Sequence, residues 1–519
     1  MPRRSFKPDA SFFRKIAMGA IGANAVREDL AQFGYQIAEL ERGATDTKIW
    51  KEVKRKRVRI PDLVGVRSGL RIEVRTKTSP SVQMSHSPDE AERAWDYGLV
   101  DSDWIAFPVC ESVKDEDWSQ GDLQGEFTCF RQQRREQFEL RGVINYFTVG
   151  DLRRVRHDRG RRKGVVEASE YSIEWDAKFS TRTGPVRYIE EDPKGGQNRV
   201  SIENRNGRAY TWKVSEGLDI LVDEGEPVQA NHVFASAVHP IQPRMTALGD
   251  LDSDALGDRF LASHERTMRF TGVKLARLRA DKAHVSAIRQ LADDTEEDLY
   301  VRLEALSYLA AVADEPVAEA FEPYLNSGVD EDALEAVICI GEVENEAAIR
   351  TLDDLLHDSS RPYFLRSASA WALGHIRDEE AQRALIRAFS DQPLGIKEEA
   401  LGGLVSLGDE AVPRLVGGLD SDDPSVAAGC AEALRRYEDL SNQQIERIVC
   451  ELRSENPSTW SVWLVGSLPK EKTACRIANM QDIDAKVHYA LSLLWSFSQS
   501  WISEHWDKYP LAHWPCTEE

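Results

Sequence analysis

Apolar and polar positions follow three different rhythms along the 519 residues. The stretch FFRKIAMGAIGANAVREDLAQF (12–33) has helical spacing and predicts an amphipathic helix. It is followed by a strand, GYQIAELER (34–42), and by two short strands, VRIPDLVGV (58–66) and LRIEVRTKT (70–78), joined by an Arg67-Ser68-Gly69 turn. A helix is expected around PDEAERAWDYGL (88–99) and a further strand at DWIAFPVC (103–110). Side chains alternate along a strand, so Ile72 and Val74 face one side while Glu73, Arg75 and Lys77 face the other. If Asp62 leans the same way, two carboxylates and one or two cations converge. Such a cluster is costly unless a divalent metal or a phosphate sits in it.

From about 166 to 240 the pattern shortens to alternating runs, YSIEWDAKF, PVRYIEED, RVSIENR, RAYTWKV and LDILVDE, separated by glycine turns. They predict a small β-rich domain over 166–245. Arg205, Arg208, Tyr210, Trp212 and Lys213 interleave aromatic and basic side chains there. That is the pattern of a strand face in contact with nucleic acid, or of aromatics half-buried in a core.

Beyond residue 255 the period is helical and repeats. LAAVADE (309–315), IGEVENE (340–346), LGHIRDE (373–379) and LVSLGDE (404–410) align without gaps, at offsets of 31, 33 and 31 residues. Each follows an apolar helix and precedes a second one, and a fifth unit begins at DPSVAAGCAEALRRY (423–437). Helix pairs of this length bury their apolar stripes only against neighbouring pairs, which predicts an α-solenoid over 255–455. Asp330, Glu331, Asp332, Glu335, Glu342, Glu344 and Glu346 give one repeat an acidic surface, suited to docking a protein. The segment 456–519 is rich in tryptophan (Trp460, Trp463, Trp495, Trp501, Trp506, Trp514) and reads as a helical cap, or as an aromatic face for a partner.

The first and third regions each resemble a known family. The order helix, strand, Pro61-Asp62 strand, turn, Glu73-x-Arg75 strand, helix, strand resembles the PD-(D/E)XK nuclease core, an αβββαβ or restriction-endonuclease-like fold, over residues 10–111. The resemblance implies that Asp62 and Glu73 ligate Mg²⁺ or Mn²⁺, that Glu28 on the first helix assists, and that a lysine orients the attacking water. Where that lysine belongs the chain has Arg75, which grips phosphate but cannot act as a base. Lys77, one strand step further, is the substitute. Gln83 and His86 follow the metal strand; some members of the family use a glutamine there, and His86 is placed either to touch the scissile phosphate or to be a loop histidine without a role. The helical pairs resemble short HEAT-like repeats of the PBS-lyase type. The run 217–231 resembles the barrel-sandwich hybrid of lipoyl-type domains, but no lysine stands at the hairpin tip, so no covalent cofactor is expected.

Charge sharpens this picture. The chain carries −22 overall, split into +6 over residues 1–165 and −28 over the remainder. The positive charge clusters at Lys51, Lys54, Arg55, Lys56, Arg57 and Arg59, at Arg131, Arg134 and Arg135, and at Arg153, Arg154, Arg156, Arg159, Arg161, Arg162 and Lys163. Patches of this kind bind phosphate backbones through counterion release. An acidic solenoid could fold back on the basic region and mask it until DNA competes. The acidic remainder also suits a salt-adapted cytoplasm. Seven scattered cysteines with no Cys-x-x-Cys pair, and no apolar run of membrane length, predict a reduced, cytoplasmic protein without structural zinc. Arg3-Arg4 is followed by a charged amphipathic stretch rather than an export signal. No glycine-rich phosphate loop with its lysine supports an intrinsic ATPase, and there is no Gly-x-Ser-x-Gly elbow.

The expectation is therefore a multidomain α/β, β and α protein, divided at 1–165, 166–245, 255–455 and 456–519. Its leading activity is Mg²⁺-dependent hydrolysis of DNA, as in restriction, anti-phage defence or repair. The alternatives are a catalytically inactive DNA-binding form of the nuclease fold and a repeat scaffold with no enzymatic role.

Overall fold

The computed structural model describes residues 10–45, 60–87, 91–112, 138–162 other than 156, 171–190 and 198–496, apart from 247, 345, 391, 438–439, 455–456, 479 and 481–482. The chain divides into two compact units, one running to Tyr308 and the other from Leu309.

In the first unit, helix α1 (Ala10–Gln32) buries Ala17, Ala20, Ala23, Val26 and Leu30, spaced three and four apart along one face. The small alanines let it lie close on a sheet built from β1 (Ile37–Glu39), β2 (Leu63–Gly65), β3 (Arg71–Val74), β5 (Trp104–Phe107) and β8 (Asn145–Thr148), in that order. All neighbours are antiparallel except β3 and β5, which run parallel with Glu73 opposite Ile105. Strand alternation sorts the residues as expected. Ile72, Val74, Trp104 and Ala106 pack on the α1 side, while Ile105, Phe107 and Phe147 pack on the other.

That second face is covered by another sheet, in which β4 (Val82–His86) pairs with β10 (Tyr171–Trp175) and β10 with β9 (Asp158–Arg162). Val82, Met84, Ile173 and Trp175 fill the space between the layers. The connection from β3 to β5 differs from the expectation. Among the described residues of the span 88–99, where a helix is expected, there is one 3₁₀ turn at Ala91–Arg93 followed by turns, and β4 precedes it. Trp95 and Leu99, four apart as on a helix, are buried from a turn into the inter-sheet core.

Strands β6 (Cys110–Ser112) and β7 (Phe138–Leu140) pair antiparallel on their own, and two further small sheets follow. β14 (Ala209–Val214), β13 (Asn198–Glu203), β12 (Gly184–Glu190) and β16 (Pro227–Val228) form one, and β11 (Ala177–Phe179), β17 (Val233–Ser236) and β15 (Asp219–Ile220) the other. Among the described residues no sheet closes into a barrel, which corrects the barrel-sandwich expectation. The run 217–231 gives only the two-residue strands β15 and β16, and these join different sheets. The N-terminal region is thus β-rich, with several small sheets.

The first unit ends with helices Arg266–Leu278 and Val285–Asp293 and most of Leu299–Val312. Glu304 is fully buried against Arg42, Lys274 and Arg277.

In the second unit helix Val317–Leu325 is followed by helix pairs: Asp330–Val343 with Ile349–His357, Tyr363–Leu373 with Glu379–Arg387, Leu394–Ser406 with Val412–Gly418, and Pro424–Arg435 with Asn442–Cys450. Asp378, Asp423 and Ser441 cap three of these helices through their side chains. Gly374 and Gly403 bring successive pairs into backbone contact, since a Cβ on Gly374 would stand 2.5 Å from the Gly403 Cα. One surface expectation fails here. Glu335 is buried, whereas Asp330, Glu344 and Glu346 are exposed. Of the tryptophans, Trp460 and Trp463 pack edge to face at 5.7 Å on helix Thr459–Ser467, while Trp501, Trp506 and Trp514 lie outside the described residues. No described helix is long and apolar enough to cross a membrane.

Candidate functional site

Pro61-Asp62 leads into β2, and backbone bonds fix its position. The Asp62 carbonyl accepts from the N–H groups of Leu40 (2.9 Å) and Glu41 (3.2 Å). Its carboxylate turns toward β3, where Oδ2 accepts from the Val74 N–H at 2.7 Å. Glu73 is buried, and Arg75, two residues along the same face, forms an ion pair with it. Burial is the largest influence on the Arg75 guanidinium and disfavours its charge. Glu73, Asp62 and Glu41 together outweigh burial and raise the group above its ordinary value. Glu73 holds this half-buried cation directly, and Asp62 and Glu41 act on it through their charge.

This arrangement does not fit Mg²⁺ or Mn²⁺. Mg²⁺ demands near-octahedral oxygen ligands. Here the guanidinium holds Glu73, and the backbone of Val74 draws on Asp62. Among the described residues no group of three or more His, Cys, Asp or Glu is placed to hold a metal.

The remaining expected residues are dispersed. Lys77 donates from Nζ to the Gln83 carbonyl at 2.6 Å and lies 5.8 Å from the Phe107 ring centroid, so it is turned toward β4 and the inter-sheet core. The Gln83 side chain donates to Glu174 at 2.8 Å. His86 Nδ1 accepts from the Trp95 N–H at 3.2 Å, and its ring packs on Tyr171. Glu28 is exposed on α1, on the side away from the buried alanines. Arg153 is bound within the chain, to Asp96 at 2.8 Å and Asp101 at 2.5 Å. Arg154 stands in solvent beside Asp151. Lys54, Arg55, Lys56, Arg57, Arg59 and Arg156 lie outside the described residues.

Two features escaped the sequence reading. Glu41, buried in the bend after β1, adds its charge to Arg75, and nothing local in the sequence signals that. Arg71 is almost wholly buried in a two-pronged pair with Asp103, with further bonds to the Gly98 carbonyl (3.1 Å) and Thr267 (3.4 Å). Nothing local in the sequence signals that contact.

The helix pairs of the second unit define a helical-repeat protein, and comparison with known proteins agrees. Residues 330–404 match the HEAT repeats family, so the C-terminal region carries HEAT-like repeats. The chain is 29% identical over 118 residues to deoxyhypusine hydroxylase of Danio rerio, covering 22% of this chain and 37% of that protein. It thus spans little more than a third of that relative's length. Among solved structures, an engineered protein aligns at 18% identity over 49% of this chain and 81% of its own, with a TM-score of 0.25. Human deoxyhypusine hydroxylase in complex with glycerol aligns at 20% identity over 42% of this chain and 81% of its own, with a TM-score of 0.18. TM-scores this low define no shared overall fold.

Proposed function

We propose that the chain is a helical-repeat scaffold that docks a basic segment of a protein partner, and that its N-terminal region does not hydrolyse phosphodiesters. The observation that carries this reading is a groove of about 360 Å³ between helices Val317–Leu325 and Ile349–His357. Glu319, Glu322, Asp354 and Asp358 line it together with Leu325, Leu355 and Arg361, which pairs with Asp358. A lining with four carboxylates against one arginine suits a segment with basic residues, steered in by charge. Affinity purification of the full chain beside a Glu319→Lys, Glu322→Lys, Asp354→Lys variant tests it. The variant should lose a partner that wild type retains, and an unchanged set of partners would end the proposal. The hydroxylase activity in the zebrafish relative's name is not extended to this chain, because the likeness covers so little of either protein. Cys110, Cys339, Cys430 and Cys450 are free thiols, which supports a reducing, cytoplasmic location.

A second reading, Mg²⁺- or Mn²⁺-dependent DNA hydrolysis, draws support from one observation. The sheet order β1-β2-β3-β5 with β3 parallel to β5 follows the element order of the nuclease resemblance, and it puts Asp62 beside the strand that carries Glu73. That reading requires Arg75 to leave Glu73. Metal-dependent cleavage of DNA by the wild-type protein is its test.

A further inference from the structure

In this acidic chain some exposed arginines of the β-rich region are matched to carboxylates, Arg187 to Glu203 and Arg199 to Glu190. Arg182 and Arg208 are not. Both are exposed, and neither has a carboxylate partner among the described residues. Instead both stand against one aromatic ring, with guanidinium carbons 4.9 Å and 5.2 Å from the Tyr210 centroid.

The two arginines come from different turns, and each turn is fixed by its own hydrogen bonds. Arg208 closes the β13–β14 hairpin. There Asn204 Oδ1 accepts from the N–H groups of Asn206 and Arg208, both at 3.0 Å, and Gly207 takes the left-handed backbone conformation that the turn needs. Arg182 follows β11. Its N–H donates to Ser180 Oγ at 3.1 Å, and Ser180 is itself tied by backbone bonds to Asn231 and His232. Tyr210 is half-buried on β14, beside Trp212, which packs on Phe234 in the core. The ring is a fixed platform, and the two cations are held near it before any ligand arrives.

A guanidinium resting on an aromatic ring keeps its N–H edges for other partners. One fork satisfies one carboxylate, which is how the neighbouring arginines are used. Two unmatched forks beside one ring suit an anion with more oxygens, or two successive anions on a strand. We propose that Arg182, Tyr210 and Arg208 form a phosphate clamp that takes the backbone of a nucleic-acid strand, with Arg205 on the same turn adding charge. The proposal is independent of the scaffold reading, because it concerns a different unit of the chain.

The test is fluorescence anisotropy of the full chain with two probes, a labelled single-stranded oligothymidylate and a labelled polyglutamate peptide, across a salt series. Arg182→Ala with Arg208→Ala should weaken oligonucleotide binding at least about tenfold and lower the salt slope by about two, one for each lost contact. Arg182→Lys with Arg208→Lys keeps the charge and loses the forks, and should fall between. Arg199→Ala, whose guanidinium is already paired with Glu190, should match wild type. Unchanged oligonucleotide affinity in the alanine variant, with its fold intact by circular dichroism, would overturn the clamp. So would wild type that fails to bind the oligonucleotide at low salt. Polyglutamate binding that disappears in the variant while oligonucleotide binding persists would reassign the surface to an acidic protein segment.

Discussion

Arg75, the residue after β3, forms an ion pair with Glu73 on that strand, and so supplies from within the chain the positive charge that a metal would bring to this carboxylate. The Glu73 side chain is 5% exposed and that of Arg75 31%, so the carboxylate depends on its partner more than the guanidinium does.

Removing that partner should therefore destabilise the fold. Arg75→Ala leaves a buried carboxylate, Glu73, without its cation, at a cost of about 3 kcal/mol. Thermal unfolding reads this directly, and Arg75→Lys, which keeps a cation at the position, should recover part of the loss. Equal midpoints for wild type and Arg75→Ala would contradict the pairing.

Glu304 makes the end of the first unit inseparable from its beginning. It bonds Arg277 at 2.7 Å, pairs with Arg42, and lies 3.9 Å from Lys274. A deletion that begins at residue 255 removes this carboxylate from Arg42 and also takes Thr267 from Arg71. Fragment 1–254 should fail to unfold cooperatively, and fragment 1–312 should succeed. Any test of masking of the basic region by the repeats should use the longer fragment. In the full chain, Glu304→Gln should cost about 3 to 5 kcal/mol in urea denaturation.

The contact between Gly374 and Gly403 sets the spacing of two repeats. Gly374→Ala forces the helices apart and should cost about 1 to 3 kcal/mol. A Cβ added at Gly417 would meet nothing within 4 Å, so Gly417→Ala on helix Val412–Gly418 should be neutral or stabilising by about 0.5 kcal/mol. Equal losses at both positions would show that the contact does not set the spacing.

Asp423 gives a pH signature. Burial raises its pKa, but the Ser390 hydroxyl and the backbone N–H groups of Ser425 and Val426 outweigh it and hold the carboxyl below its ordinary value. A depressed carboxyl stabilises the fold above its unfolded pKa of about 3.9, and the contribution is lost as pH falls through the lower folded value. The stability difference between wild type and Asp423→Ala should be about 1 kcal/mol at neutral pH and shrink in acid below about pH 4. A difference that is constant with pH would contradict the capping role.

Much of the fold was legible wherever one local period held. The alanine stripe of α1, the sorting of Ile72 and Val74 away from Glu73 and the repeat offsets all come from spacing alone. The same-face relation of Glu73 and Arg75 was readable too, although not that the pair would close on itself. Failures occurred where distant residues decide the outcome. Trp95 and Leu99 have helical spacing because the inter-sheet core needs two apolar plugs, which a turn supplies as well as a helix. Glu335 reads as surface from composition and is buried by the packing of neighbouring repeats. The meeting of Arg182 with Arg208 over Tyr210 depends on two separate turns and leaves no local trace.

The most direct test of the central claim is cleavage of supercoiled DNA by the full-length protein with Mg²⁺ or Mn²⁺, run beside Glu73→Ala. A site closed by its own arginine predicts that wild type nicks no more DNA than the variant with either metal. Metal-dependent nicking by wild type that disappears in Glu73→Ala would show that Arg75 yields to a metal, and would make the chain a nuclease.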